Sequence, residues 1–152
     1  MDQREQHLQL VTDFYKALST LDTDLFWSLL TDDVTLNISG HTPISGQVRG
    51  KKALAEEILP LVFAALKLDT FQFAKKWKVV CADENRIVCI MESDGYGVNG
   101  CRYDQRYVHI FAFRDGKISE TFEFFDTALA NEVMFTPEAN IQKPKCLGNF
   151  EF

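Results

Sequence analysis

Two residues able to move protons, His109 and Glu123, stand on the two arms of one aromatic segment, "YDQRYVHIFAFRDGKISETFEFFDTA" (residues 103–128). An imidazole and a carboxylate in one pocket can share a proton and pass it to a bound molecule, which is general acid–base chemistry. Whether they meet depends on the turn between the arms. A two-residue Asp115-Gly116 turn pairs Phe113 with Ile118 and puts the two side chains on opposite faces. A three-residue turn, Arg114 to Gly116 with Gly116 left-handed, pairs Phe113 with Lys117, and a shift of one residue flips every partner. The second register is favoured because it gives both faces a use. Tyr107, His109, Phe111 and Phe113 then join Thr121, Glu123 and Phe125 along a pocket. Val108, Ile110, Ala112, Ile118, Phe122 and Phe124 form an outer apolar patch that needs a partner. The plainer reading makes Glu123 a solvated rim residue and His109 a core histidine satisfied by one hydrogen bond.

The elements that must position these residues are legible from hydrophobic period. Leu8, Val11, Phe14, Tyr15 and Leu18 recur at helical spacing and predict a helix from Asp2 to Ser19. "LDTD" breaks it, and Thr23 is placed to cap a second helix, "DLFWSLLTD". "VTLNIS" alternates as a strand, with Val34, Leu36 and Ile38 on one face and Asn37 on the other. After a Gly- and Pro-punctuated loop, "KKALAEEILPLVFAALK" reads as a third helix kinked at Pro60. From Phe71 the period changes to two, and four strands follow one another, closed by a short helix in "TALANEVMF". Helices first and a meander afterwards make an α+β domain over residues 1–135, with residues 136–152 as an irregular arm.

Composition narrows the classes. A net charge of -6 argues against a nucleic-acid partner. No apolar run reaches transmembrane length, and the polar start carries no signal-peptide core, so no membrane association is expected. Cys81, Cys89, Cys101 and Cys146 are widely spaced with no CxxC pair, which predicts reduced thiols in the cytoplasm and no metal site. Thirteen Phe residues are about twice an ordinary share. They fit a dense core or an apolar cavity.

The helix–helix–strand–helix–meander order, with "DDVTLNISGHTPISGQVRGKKAL", "FAFRDGKI" and "FEFFDTA", resembles the SnoaL-like and ketosteroid-isomerase-like proteins of the nuclear transport factor 2-like superfamily. The resemblance covers roughly Gln6 to Phe135. It implies a cystatin-like cone, in which a curved, mostly antiparallel sheet is wrapped by N-terminal helices around an open apolar pocket. It also implies roles. His109 matches a strand position where the steroid isomerases keep a protonated Asp that helps hold the oxyanion. Glu123 matches an acid/base Asp of limonene-epoxide-hydrolase-like members, Tyr15 the helical Tyr that donates to the oxyanion, and Asp94 lies near a second carboxylate. Glu92 occupies the place of an Arg that would bridge two acids, and close carboxylates without that cation repel, which argues against epoxide hydrolysis. The isomerase base is also missing, since Ile38 or Asn37 stands where that Asp would be. A true ketosteroid isomerase is therefore not expected.

The expected function is cofactor-free proton transfer, of isomerase, cyclase or dehydratase type, on an apolar cyclic or polyketide-like molecule. Glu123 is the expected acid or base, His109 its partner, Tyr15 a group orienting the substrate, and Asp94 a second acid. Asn37, Tyr107, Phe111, Phe125 and Glu92 are expected to contact the substrate, and the outer sheet face to make a homodimer. The alternative is a non-catalytic protein of the same fold that binds a hydrophobic ligand or acts as a dimeric adaptor. His7 is expected on the helix surface and His41 exposed in its loop.

Overall fold

Asp2 accepts a hydrogen bond from the Glu5 amide while the Glu5 carboxylate accepts one from the Asp2 amide. This reciprocal cap starts α1 (Gln3–Thr20). Leu21, in the left-handed conformation (φ 53°), ends it. Asp22, one residue ahead of the expected Thr23, caps α2 (Thr23–Ser28) through the Leu25 amide. The computed structural model describes residues 1–152. One face of α1, with Val11, Phe14, Tyr15 and Ala17, is buried.

Six strands follow: β1 (Leu30–Ile38), β2 (Gly46–Arg49), β3 (Gln72–Ala82), β4 (Arg86–Asp94), β5 (Arg106–Arg114) and β6 (Lys117–Phe125). They form one sheet in the order β2-β1-β6-β5-β4-β3. Only β1 and β6 run parallel; every other pair is antiparallel. Four register shifts interrupt three strand pairings, one in β1–β6, two in β3–β4 and one in β5–β6. Such bulges increase local twist and bend a sheet. The curved sheet wraps α1, so Val11, Phe14, Ile38, Ile87 and Phe111 share one core. Burying each large apolar side chain of this kind contributes roughly 1.5–3 kcal/mol, so the concave face supplies most of the driving force.

Between β2 and β3 lies α3 (residues 51–65), the expected third helix. Its middle, Leu54–Ile58, is a π turn in which the Leu59 amide reaches back to the Leu54 carbonyl. Pro60, which has no amide to donate, follows directly. The expected kink is thus a π bulge just ahead of the proline. A short α4 (Thr127–Val133) is capped by Asp126 through the Leu129 amide. No helix is long and apolar enough to cross a membrane.

The β5–β6 turn corrects the expected register. Arg114 pairs with Lys117 and Phe113 with Ile118, so the turn has two residues, Asp115 (φ 53°) and Gly116 (φ 71°). Two positive φ angles match the twist of a hairpin, and Asp-Gly tolerates both. The extra residue lies further along: Ala112 pairs with Glu120, leaving Ser119 unmatched as a bulge. Beyond it Phe111 faces Thr121, His109 faces Glu123 and Tyr107 faces Phe125. Ile118, expected on the outer patch, is instead fully buried in the core.

The arm after α4 runs along the outside of the sheet. Gly148 exchanges backbone hydrogen bonds with Gln47 of β2, at 3.0 and 2.9 Å. Phe150 then sets its ring edge-on to Phe122 and Phe124 (centroids 5.9 and 6.0 Å). Part of the outer patch is therefore covered by the chain's own end, while Ile90 and Phe124 remain exposed.

Candidate active site

The bulge at Ser119 turns Thr121, Glu123 and Phe125 to the concave side, opposite Phe111, His109 and Tyr107. There His109 Nε2 lies 3.0 Å from Glu123 Oε1, and His109 Nδ1 lies 2.9 Å from the Tyr15 hydroxyl. The three form a chain from the buried side of α1 to the cavity. Tyr15 is fully buried, His109 nearly so, and the Glu123 side chain keeps 22% of its surface. Rings fix the imidazole further, with Tyr107 stacked at 5.6 Å (interplanar 17°). Tyr15 is itself stacked on Trp77 at 4.9 Å.

Burial sets the state of the phenol. Burial, then the nearby Cys89 thiol and the charge of Glu123, push the Tyr15 phenol far above its ordinary value. It therefore stays an O–H. Where that O–H donates to Nδ1, the imidazole proton sits on Nε2 and donates to the Glu123 carboxylate. Burial likewise pushes the Cys89 thiol up to about 11, so it is no nucleophile here.

Glu123 and His109 open into a cavity of about 390 Å³ lined by 31 residues, 24 of them hydrophobic. Leu21, Asp22, Thr23, Ala55 and Pro60 are both lining and exposed, so the mouth lies between the α1–α2 junction and α3. Deeper in, the polar groups are few: Ser93, Thr121, His109, Glu123 and the hydroxyls of Tyr103 and Tyr107. An apolar chamber with a handful of convergent polar groups is the usual form of a small-molecule site.

Of the nine residues singled out from the sequence, His109, Glu123, Tyr107 and Phe125 line this cavity. Tyr15 and Phe111 lie behind the lining in the core, so Tyr15 holds His109 rather than a ligand. Asn37 is on the outer side of β1, its Oδ1 accepting from Gln47 Nε2 at 3.0 Å and its Nδ2 without a partner. Asp94 and Glu92 do not join Glu123. Ile87, Cys89, Met91 and Ser93 take the inner side of β4, which sends the alternate residues outward. Asp94 is held by Arg102 and Lys75, at 3.2 and 3.0 Å, which lowers it to about 2; Glu92 pairs with Arg106 at 3.2 Å.

His7 also departs from expectation: it is buried, stacked 4.0 Å over Phe113, with Nδ1 unpartnered. Tyr103 and Ser93 were not singled out. Tyr103 sits in the aperiodic β4–β5 connection, and Ser93 hides between Glu92 and Asp94, where the carboxylates draw the eye. No group of three or more His, Cys, Asp or Glu side chains is arranged to hold a metal ion.

Comparison with known proteins agrees with this architecture. The family model of the SnoaL-like domain matches residues 11–121. An NTF2-like protein from Burkholderia xenovorans LB400 superposes with a TM-score of 0.70 at 20% identity, over 86% of this chain and 97% of that one. A candidate polyketide cyclase from Xanthomonas campestris pv. campestris gives 0.72 at 20% identity, over 88% and 99%. A candidate isomerase from Bacillus subtilis gives 0.74 at 15% identity, over 94% and 99%. No curated protein matches the sequence.

Proposed function

The chain belongs to the SnoaL-like domain family, and from that premise we propose that it is an enzyme of cofactor-free proton transfer on an apolar cyclic or polyketide-like molecule. The observation that carries this reading is the Tyr15–His109–Glu123 chain ending in an apolar cavity. Glu123 takes a proton from carbon next to a substrate carbonyl, and the electron pair moves onto the carbonyl oxygen as an enolate. The same carboxyl then returns the proton to another carbon, completing an isomerisation, or the enolate carbon attacks a second carbonyl in a cyclisation and the carboxyl gives its proton to the alkoxide so formed. His109, held by Tyr15, fixes the Glu123 carboxylate with its Nε2 proton. Fold likeness to a candidate cyclase and a candidate isomerase supports the reaction class.

The outer ladder of Ile90, Val108 and Phe124 supports a homodimer through that face, since Ile90 and Phe124 are exposed. Four free cysteines support a reducing, cytoplasmic compartment.

One observation favours a second reading, a non-catalytic binder or dimeric adaptor. Ile38, not an acid, lines the cavity from β1, so the steroid-isomerase base is absent. Two variants separate the readings. In an enzyme, Glu123→Gln abolishes turnover of an enolisable apolar ketone and leaves its binding intact. In a binder, Phe125→Ala weakens binding and Glu123→Gln changes nothing.

A further inference from the structure

Beside the acid–base pair, the cavity holds a second polar feature. Tyr103 and Tyr107 place their hydroxyls 3.2 Å apart. Two phenols that share one hydrogen bond have two protons and use only one of them between each other. The other proton finds no acceptor in the protein, because the two hydroxyls make no further donating bond. Gln105 lies against one phenol only. Its Oε1 accepts from the Arg106 and Asp126 amides, both at 3.0 Å, which fixes Nε2 as the donor end of the side chain. Nε2 donates to the Asp126 carbonyl at 2.8 Å and to the Tyr103 oxygen at 3.4 Å. Either phenol can give the shared proton, and with Gln105 Nε2 already on its oxygen Tyr103 makes one accepted and one donated bond when it donates to Tyr107.

We propose that Tyr107 presents this unshared O–H to a ligand carbonyl or enolate oxygen, making Gln105–Tyr103–Tyr107 a donor chain beside the acid–base pair. Tyr103 is 2% exposed, whereas Tyr107 is partly accessible and stacked on His109, so the free proton sits on the phenol a ligand can reach. Burial holds both phenols in the neutral, donating form, Tyr103 at about 12 and Tyr107 well above its ordinary value. The ligand that fits is a ring system bearing an oxygen acceptor, with the rest of the molecule apolar. It deepens the proton-transfer reading, on which it rests for turnover, because a donor to the oxygen stabilises the enolate that Glu123 creates.

The probes are β-acetonaphthone and β-ethylnaphthalene, which have nearly the same shape and differ in the carbonyl oxygen. In the wild-type protein the ketone binds more tightly than the hydrocarbon, by about tenfold for one good hydrogen bond. Its infrared carbonyl band lies below the position found in hexane. Tyr107→Phe removes both the band shift and the affinity difference, while hydrocarbon binding and the melting temperature report an intact cavity. Tyr103→Phe keeps a weaker shift. Glu123→Gln keeps the full shift even where proton exchange is lost, so failure of this donor and failure of the acid–base reading are distinguishable. An unshifted carbonyl band in the wild-type protein, or a full shift surviving in Tyr107→Phe, overturns the proposal.

Discussion

His109 and Glu123 are direct cross-strand partners, with Nε2 and Oε1 3.0 Å apart, and one unpaired residue makes them so. Ser119 restores by a bulge the shared facing of His109 and Glu123 that the two-residue Asp115-Gly116 turn alone would lose. The relationship is one of residue count, not of side-chain chemistry. Ser119→Ala should therefore change stability by less than about 0.5 kcal/mol, as expected for a substitution that leaves the residue count of the bulge unchanged. Deletion of Ser119 leaves the β5 partners in place, because the residue removed is the bulge itself, but shortens β6 between Ile118 and Glu120, which pair with Leu30 and Thr35 of β1. Thermal melts should show the deletion strongly destabilised and the alanine variant near wild type. Equal melting temperatures for the two would remove the bulge from the account.

Tyr15 is a positioning residue. Its hydroxyl is the only hydrogen-bond partner of His109 Nδ1 and it does not reach the cavity. Tyr15→Phe keeps the ring on Trp77 and takes away only that bond, at a cost of about 1 kcal/mol in stability. Freed from the phenol, the imidazole can take either tautomer, and the proton facing Glu123 is no longer assured. Proton exchange on a bound ketone should slow by about tenfold, with KM for the ketone unchanged. A rise in KM with an unchanged kcat would place Tyr15 on the ligand instead.

Asp94 makes the opposite prediction. Its carboxylate is lowered to about 2 by Arg102 first and Lys75 next, on the outside of the sheet. A folded value below the free one of 3.8 means the pairing stabilises the fold above that pH and is lost as the pH falls toward about 2. Asp94→Asn should lose less melting temperature than wild type across this interval, and should leave exchange at the cavity unaltered. A large loss of exchange in this variant would bring Asp94 back into the site.

Much of this was legible in the sequence because period is a strong signal. α1, the alternation of β1, and the facing of Tyr107, His109, Thr121 and Glu123 all follow from where apolar residues recur. The hairpin shows the limit. Sequence demanded one extra residue between the arms and could not place it, since a three-residue turn and a bulge at Ser119 put the same residues on each face. The turn would pair His109 with Thr121, whereas the bulge pairs it with Glu123. Parity failed on β4 because two carboxylates in "MESDG" looked like a site, whereas Met91 and Ser93 are the residues facing in. Tyr103 and Gln105 were out of reach: their positions depend on the backbone of Asp126, 21 residues from Gln105. The role of the arm was equally hidden, because Phe150 finds its partners only on a folded sheet.

The central claim is that Glu123 exchanges protons with carbon in the cavity. The direct measurement is the rate at which β-tetralone, an apolar cyclic ketone, takes up deuterium beside its carbonyl in deuterium oxide, followed by proton NMR. Wild-type protein should accelerate the exchange well above buffer, and Glu123→Gln should lose at least about a hundredfold of that acceleration while binding the ketone as before. Equal rates for wild type and Glu123→Gln would contradict the account.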